Sequence, residues 1–242
     1  MALHYKSRGL VIKKSDIGEA DRIFRVFTKD FGKIEISGRA IRKVASKLKA
    51  GLDIFFLSDV EFIQGKTYKT LTDSFPVSKF NKIKKDLSKL KTAYKIAEAV
   101  DVLVGGEEKD EKIWNLLNET MERLEEDSAS RKNYQSFYNY FIWNLFSELG
   151  YHPQLYKCSV CLSELNPSYI YFSSPAGGAV CINCNKTGKR VNADTIKIIR
   201  LILKKDWGTI SKLNITPFSK KLFSDTTKDF YSHILCADSE KI

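Results

Sequence analysis

Two Cys-x-x-Cys pairs constrain this chain more tightly than any other feature: Cys158-Ser159-Val160-Cys161 and, nineteen residues further on, Cys181-Ile182-Asn183-Cys184. Each pair can present two thiolates from one tight turn, and zinc takes four sulfur ligands in a tetrahedron. The spacing therefore points to a four-cysteine zinc site. Between the pairs, Tyr169-Ile170-Tyr171-Phe172 reads as an extended apolar run and Pro175-Ala176-Gly177-Gly178 as a reversal, a hairpin that returns the second pair to the first. Four protein ligands leave no open position, so one structural Zn2+ per chain is expected and not a catalytic one.

Other uses of the four cysteines fit less well. Disulfides call for an oxidising compartment, and the N-terminal residues do not read as a secretion signal. A redox dithiol is usually a single pair beside a βαβ unit. Cys236 stands outside the pattern and is expected to be a buried free thiol.

At 242 residues and 43% hydrophobic content, the chain has enough apolar material for one large core or two smaller ones. No apolar run approaches the ~20 residues that span a bilayer, so a cytoplasmic protein with no membrane partner is expected. The net charge of +11 is unevenly placed. Residues 1–100 carry 22 basic and 11 acidic side chains, residues 101–150 carry 5 and 11, and residues 151–242 carry 13 and 7. Two basic lobes around an acidic middle favour a polyanionic partner, nucleic acid foremost.

Residues 1–78 read as β structure. Strands are expected from near Tyr5 through Leu10-Val11-Ile12, over Ile23 to Phe27, around Ile34 and Ile36, from about Ile54 to Ile63, and from Tyr68 to Phe75. Five short strands with glycine turns suit a small barrel; the OB-fold is the five-stranded candidate and an SH3-like barrel the competing one. Between the third and fourth strands, residues 39–49 hold five cations and no acid: Arg39, Arg42, Lys43, Lys47 and Lys49. Most charge runs are solvated faces, but beside a barrel groove such a run suits phosphate contact. Five cations on a single strand would give a log–log salt slope near −3.5, on the order of 0.7 per phosphate. Tyr5, Phe24, Phe27 and Tyr68 are candidates for stacking on bases, although some must be core.

From Pro76 the period changes to that of helices. Phe80, Ile83, Leu87, Leu90, Tyr94 and Ala97 share one face, with Lys82, Lys84, Lys85, Lys89, Lys91 and Lys95 over the remainder. A second helix is expected from Asp110 to Glu126 with Ile113, Leu116, Leu117, Met121 and Leu124 inward. A third, from Arg131 to Leu149, is aromatic nearly all round and reads as the buried centre of a bundle. Ala193 to Lys205 and a segment starting at Thr216-Pro217 complete the set, with Phe218, Leu222, Phe223, Phe230, Ile234 and Leu235 as contacts of the last. The expected architecture is α+β and multidomain. An N-terminal five-stranded OB-fold barrel (1–78) precedes an all-α domain (79–242) that carries the four-cysteine zinc element as an insertion at about 156–186.

Several stretches resemble the RecO family of bacterial recombination mediators. They include Gly18-Glu19-Ala20-Asp21-Arg22, Phe27-Thr28, Gly32-Lys33-Ile34, Gly38-Arg39, Ser46 and Leu52. Leu149-Gly150-Tyr151-His152-Pro153-Gln154-Leu155 before the first cysteine pair, and Phe172-Ser173 with Gly177-Gly178-Ala179-Val180-Cys181, are similar to its central signature. The resemblance implies an OB-fold, a helical domain with a zinc element, and binding of single- and double-stranded DNA with annealing of complementary strands. It also implies action with RecR to load the RecA recombinase onto DNA covered by single-stranded DNA-binding protein (SSB). It implies no catalysis, and the residues agree. His4, His152 and His233 lie beside no nucleophile at the required spacing, and no Walker-type glycine loop is present. Asp16, Glu19 and Asp21, which could suggest a nuclease metal cluster, read better as turn and strand-edge residues. A zinc-ribbon RNA-binding or RNA-modifying protein would share the basic charge and the cysteines, and a scaffold with an aromatic protein-binding surface is a third class.

Overall fold

The computed structural model of the chain describes residues 3–65, 68–128, 134–213 and 215–239. Two compact units are present, Met1–Phe141 and Ile142–Ile242.

In the first unit, β1 (His4–Ile17), β2 (Asp21–Thr28), β3 (Gly32–Gly38), β4 (Leu57–Gln64) and β5 (Lys69–Ser78) close into a barrel in the order β1-β2-β3-β5-β4. β1 runs five residues past the apolar stretch that marks it in the sequence. Its first half pairs with β4 and its second with β2, across a bulge between Val11 and Lys13 that bends the strand. A short parallel seam, Ile36 beside Lys69 and Ser37 beside Thr70, joins β3 to β5. This is OB-fold connectivity and decides against the SH3-like alternative. Inward residues alternate along the strands, and Val11, Phe24, Val26, Ile34, Ile36, Val60, Phe62 and Leu71 fill the barrel. The segment Ile54–Phe56, expected as strand, turns instead: Phe55 adopts φ 59° while its side chain is buried.

The helical stretch after the barrel is broken in two, α1 (Asn81–Lys85) and α2 (Leu87–Leu103). Asp86 leaves the helical region and caps α2, accepting from the Ser88 and Lys89 amides. The break resets the helical phase, so Leu87 and Tyr94, expected inside, are exposed, while Lys89, expected outside, is buried at 4% exposure. Its ammonium donates to the Glu125 and Asp127 carbonyls at 3.2 and 2.7 Å, satisfying the C-terminal end of α3 (Glu111–Glu126). Ile113, Leu116, Leu117, Met121 and Leu124 of α3 are all buried, as their period predicts.

The helix α4 (Gln135–Glu148) contains the junction between the units. In the second unit, Trp143 stacks on Phe230 with ring centroids 5.3 Å apart and donates Nε1–H to Thr227 at 3.0 Å. Phe146 and Phe172 meet Phe230 edge-on. Phe230 belongs to α7 (Pro217–Ser239), and Phe172 to β6 (Ile170–Ser173), which pairs with β7 (Gly178–Cys181) and with β8 (Lys189–Val191). The strand β8 and the one-turn α6 (Trp207–Ile210), which follows α5 (Ala193–Leu203), have no counterpart among the expected elements. Phe218 is exposed because it lies on the outward side of the first turn of α7, and Cys236 is exposed, not buried. No helix among the described residues is long and apolar enough to cross a membrane.

Candidate metal centre and nucleic-acid interface

The cysteine pairs converge as their spacing predicts. The four Sγ atoms of Cys158, Cys161, Cys181 and Cys184 lie within 4.8 Å of one another, the one such group of ligand atoms among the described residues. A tetrahedron with metal–sulfur bonds of about 2.3 Å has edges of about 3.8 Å, and Cys161 Sγ and Cys181 Sγ are 3.8 Å apart. The first turn is closed by the Leu162 amide on the Cys158 carbonyl at 2.9 Å, with Leu162 at φ 61°. The Ser159 amide then reaches the Ala179 carbonyl at 2.8 Å, tying the first pair to the hairpin that carries the second. Gly178 lets the chain approach this closely, because a Cβ there would stand 2.2 Å from the Gln154 carbonyl oxygen.

Burial disfavours the Cys158 thiolate, but the amides of Cys161, Cys181 and Val160 outweigh it and bring this group down to about 6. The thiols of Cys161 and Cys181 push Cys184 up to about 12, since each charged sulfur discourages the next. A divalent cation would remove that mutual penalty, so the donor set fits a thiophilic metal held by all four sulfurs. His152 is not part of the group; its Nδ1 lies 2.8 Å from the Ser147 hydroxyl.

The basic connection between β3 and β4 is exposed at Arg39, Arg42, Lys43, Lys47 and Lys49, while Ile41 and Leu52 are buried against the barrel core and Leu48 packs on it. Apolar anchors thus hold the segment and leave its cations in solvent. It is also fastened to the β1–β2 turn. The Arg42 amide donates to the Ala20 carbonyl at 3.0 Å, its guanidinium donates to the Gly18 carbonyl at 2.9 Å, and Asp16 lies 3.5 Å away. Asp21 accepts from the Ala40 amide at 2.7 Å. Asp16 and Asp21 therefore brace this segment. Arg42 is occupied, and Arg39, Lys43, Lys47 and Lys49 have no ion-pair partner among the described residues.

The outer face of β2 and β3 is differently disposed. Arg25 pairs with Glu35 and, at 2.5 Å, with Asp101 of α2; Lys33 donates to the Asp101 carbonyl at 2.5 Å. Lys69 pairs with Glu107 at 2.6 Å, so every cation lining the cleft of about 400 Å3 there, beside Tyr68, is engaged. Of the aromatics considered for stacking, Phe24 and Phe27 are core, and Tyr5 packs on Phe31 and Phe62 at 5.6 Å. Tyr68 is open, at 58% exposure. Phe75, at 54%, is an outward residue that alternation from the inward Leu71 would place inside; the register shift opposite Glu61 and Phe62 changes the phase of β5 and turns it out.

Residues 1–80 match the family model described as "Recombination protein O N terminal", and residues 84–236 the one described as "Recombination protein O C terminal". The second match reaches well past Cys181, the last residue of the family-like stretches read from the sequence. The chain is similar to the DNA repair protein RecO of Dehalococcoides mccartyi strain BAV1, 30% identical over 213 residues that cover 87% of this chain and 83% of that one. It is 31% identical to the DNA repair protein RecO of Thermoanaerobacter sp. X514 over 219 residues, 89% of this chain and 86% of the relative. With that of Roseiflexus sp. RS-1 it shares 27% identity over 241 residues, 98% of this chain and 83% of the relative. The chain belongs to the Recombination protein O family.

Proposed function

We propose that this protein is a non-enzymatic, DNA-binding recombination mediator in DNA repair. It binds single- and double-stranded DNA, anneals complementary strands, and with RecR helps load RecA onto SSB-coated DNA in the bacterial cytoplasm, at the nucleoid. The observation that carries this reading is the exposed, acid-free connection of residues 39–49, anchored beside the barrel by Ile41, Leu52 and Arg42. A segment anchored at Ile41, Leu48 and Leu52 presents its cations with less backbone freedom to lose on contact with phosphates than an unanchored loop would have. Neutralising the phosphates of two strands lowers the repulsion that opposes their pairing. Arg39, Lys43, Lys47 and Lys49 take the phosphates, and Arg42 positions the segment that bears them.

Residues 1–78 serve as the nucleic-acid-binding domain, and residues 79–242 as a helical domain into which the element at about 156–186 is inserted. One Zn2+ held by Cys158, Cys161, Cys181 and Cys184 supplies cross-linking of that element and no chemistry, because four thiolates complete its coordination. The names borne by the relatives support the assignment to DNA repair.

The test is annealing of two complementary oligonucleotides, one fluorophore-labelled and one quencher-labelled, with and without SSB. Acceleration by the intact protein that fails when Arg39, Lys43, Lys47 and Lys49 are changed to Gln is expected. No acceleration and no single-strand binding at low salt, or preference for structured RNA over DNA, would overturn the proposal.

A further inference from the structure

A second group of cations, outside the basic connection, surrounds Phe56 at the entry to β4. The Lys84 ammonium lies 3.8 Å from the Phe56 ring centroid and that of Lys79 lies 5.5 Å from it. The two charges are thus within about one Debye length of each other, ~10 Å at 0.1 M salt. Lys14 is near enough to act on Lys84 electrostatically. Of the nearby carboxylates, Asp53 offsets Lys14, whose ammonium it takes at 2.5 Å, while Glu125 and Asp86 are engaged with backbone amides, the first with those of Lys82 and Ile83 at 2.9 Å and the second as the cap of α2. Burial first, and then the Lys14 and Lys79 ammoniums, hold Lys84 below its ordinary value despite Asp53. Among the described residues, neither Lys79 nor Lys84 has an ion-pair partner. The group carries a surplus of positive charge around an aromatic face, which an anion would complete.

Its place in the barrel gives the anion a source. Leu57 pairs with Ser78, which sets Phe56 beside Lys79. The Ser74 hydroxyl, further back on β5, lies 3.5 Å from the Leu48 carbonyl of the basic connection. From Ser74 to Lys79 the chain advances roughly 17 Å at strand rise, and Phe75 and Val77 are exposed along it. A line of cation, aromatic and cation is what a single strand requires of a surface.

We propose that Lys79 and Lys84, which flank Phe56, form a second backbone-phosphate contact that extends the path of a bound single strand from the basic connection along β5. This rests on the DNA-binding reading above. The test is the salt dependence of binding a labelled oligo(dT) to the full chain. Lys79→Gln with Lys84→Gln should make the log–log slope shallower by about 1.4, at ~0.7 per charge on a single strand. Lys29→Gln with Lys91→Gln, two exposed lysines elsewhere on the same unit, should leave it unchanged. Should the double variant not fold, Lys79→Gln alone changes an exposed residue and should remove about 0.7. Slopes equal to wild type, or an equal loss in the control pair, sink the second contact and leave the basic connection standing. A wild-type protein that binds no oligonucleotide sinks both. Inorganic phosphate, followed by the Phe56 ring resonances, separates the sources. Weak phosphate binding with strong oligonucleotide shifts supports a backbone contact, and tight phosphate binding that oligo(dT) does not displace overturns it.

Discussion

Removing the free cations of the basic connection has a calculable effect. Arg39, Lys43, Lys47 and Lys49 are exposed and unpaired among the described residues, whereas Arg42 is held by the Gly18 carbonyl and Asp16. Four phosphates and not five are therefore expected to be neutralised by this segment, giving about 2.8 of the log–log slope at ~0.7 each. Changing all four to Gln should flatten the slope by that amount. Between 50 and 200 mM salt the wild type should accordingly lose about fifty-fold more affinity than the variant. Arg42→Gln should behave differently: weaker binding at every salt concentration, because the segment comes away from the β1–β2 turn, with little change of slope. Fluorescence anisotropy of a labelled single strand measures both. A quadruple variant with the wild-type slope would refute the assignment. An Arg42→Gln slope flattened by about 0.7, the share of one phosphate, would show that this guanidinium leaves Asp16 for the DNA.

Three further outcomes are expected. Lys89→Met keeps the stem of a buried side chain but leaves the Glu125 and Asp127 carbonyls without their donor; at ~1.5–3 kcal/mol for a charged hydrogen bond, melting should fall by roughly 3–12 °C, and an unchanged midpoint would contradict the cap. Cys158→Ser should lower metal content from about one Zn2+ per chain by elemental analysis. It should also reduce the near-ultraviolet dichroism of the cluster in which Trp143 meets Phe172 while leaving the oligonucleotide salt slope intact. Asp101→Asn addresses pH. Burial would raise this carboxyl, but the Arg25 guanidinium, then Lys13 and Lys33, hold it below the usual carboxylate range. A depressed folded value stabilises above the unfolded one, about 3.9, and that contribution is lost as pH falls through the folded value. The wild type's advantage over the Asp101→Asn variant in thermal melts should be full at pH 6 and shrink toward pH 3; an advantage that grows in acid would reverse the sign of the argument.

Local pattern carried much of the design. The Cys-x-x-Cys spacing, the alternation of Ile34 and Ile36, and the 3.6-residue period of Ile113, Leu116, Leu117, Met121 and Leu124 each reflect geometry that a few neighbouring residues enforce. The motifs also sufficed to indicate the family. What they left open was which side of an element another element covers. Phe24 and Phe27 look as fit for stacking as Tyr68, yet closure of the barrel buries the first and α3 covers the second, with Trp114 and Phe27 ring centroids 6.3 Å apart. Lys89 reads as solvent-facing until the break at Asp86 rotates α2 and brings the end of α3 onto it. Cys236 reads as buried and is not. Likewise, five adjacent cations look equivalent along the chain, and only the approach of the β1–β2 turn separates Arg42 from the other four. Periodicity is set by residues within one turn or one pleat, while burial and ion pairing are set by partners tens of residues away, so the first is written in the chain and the second waits for the fold.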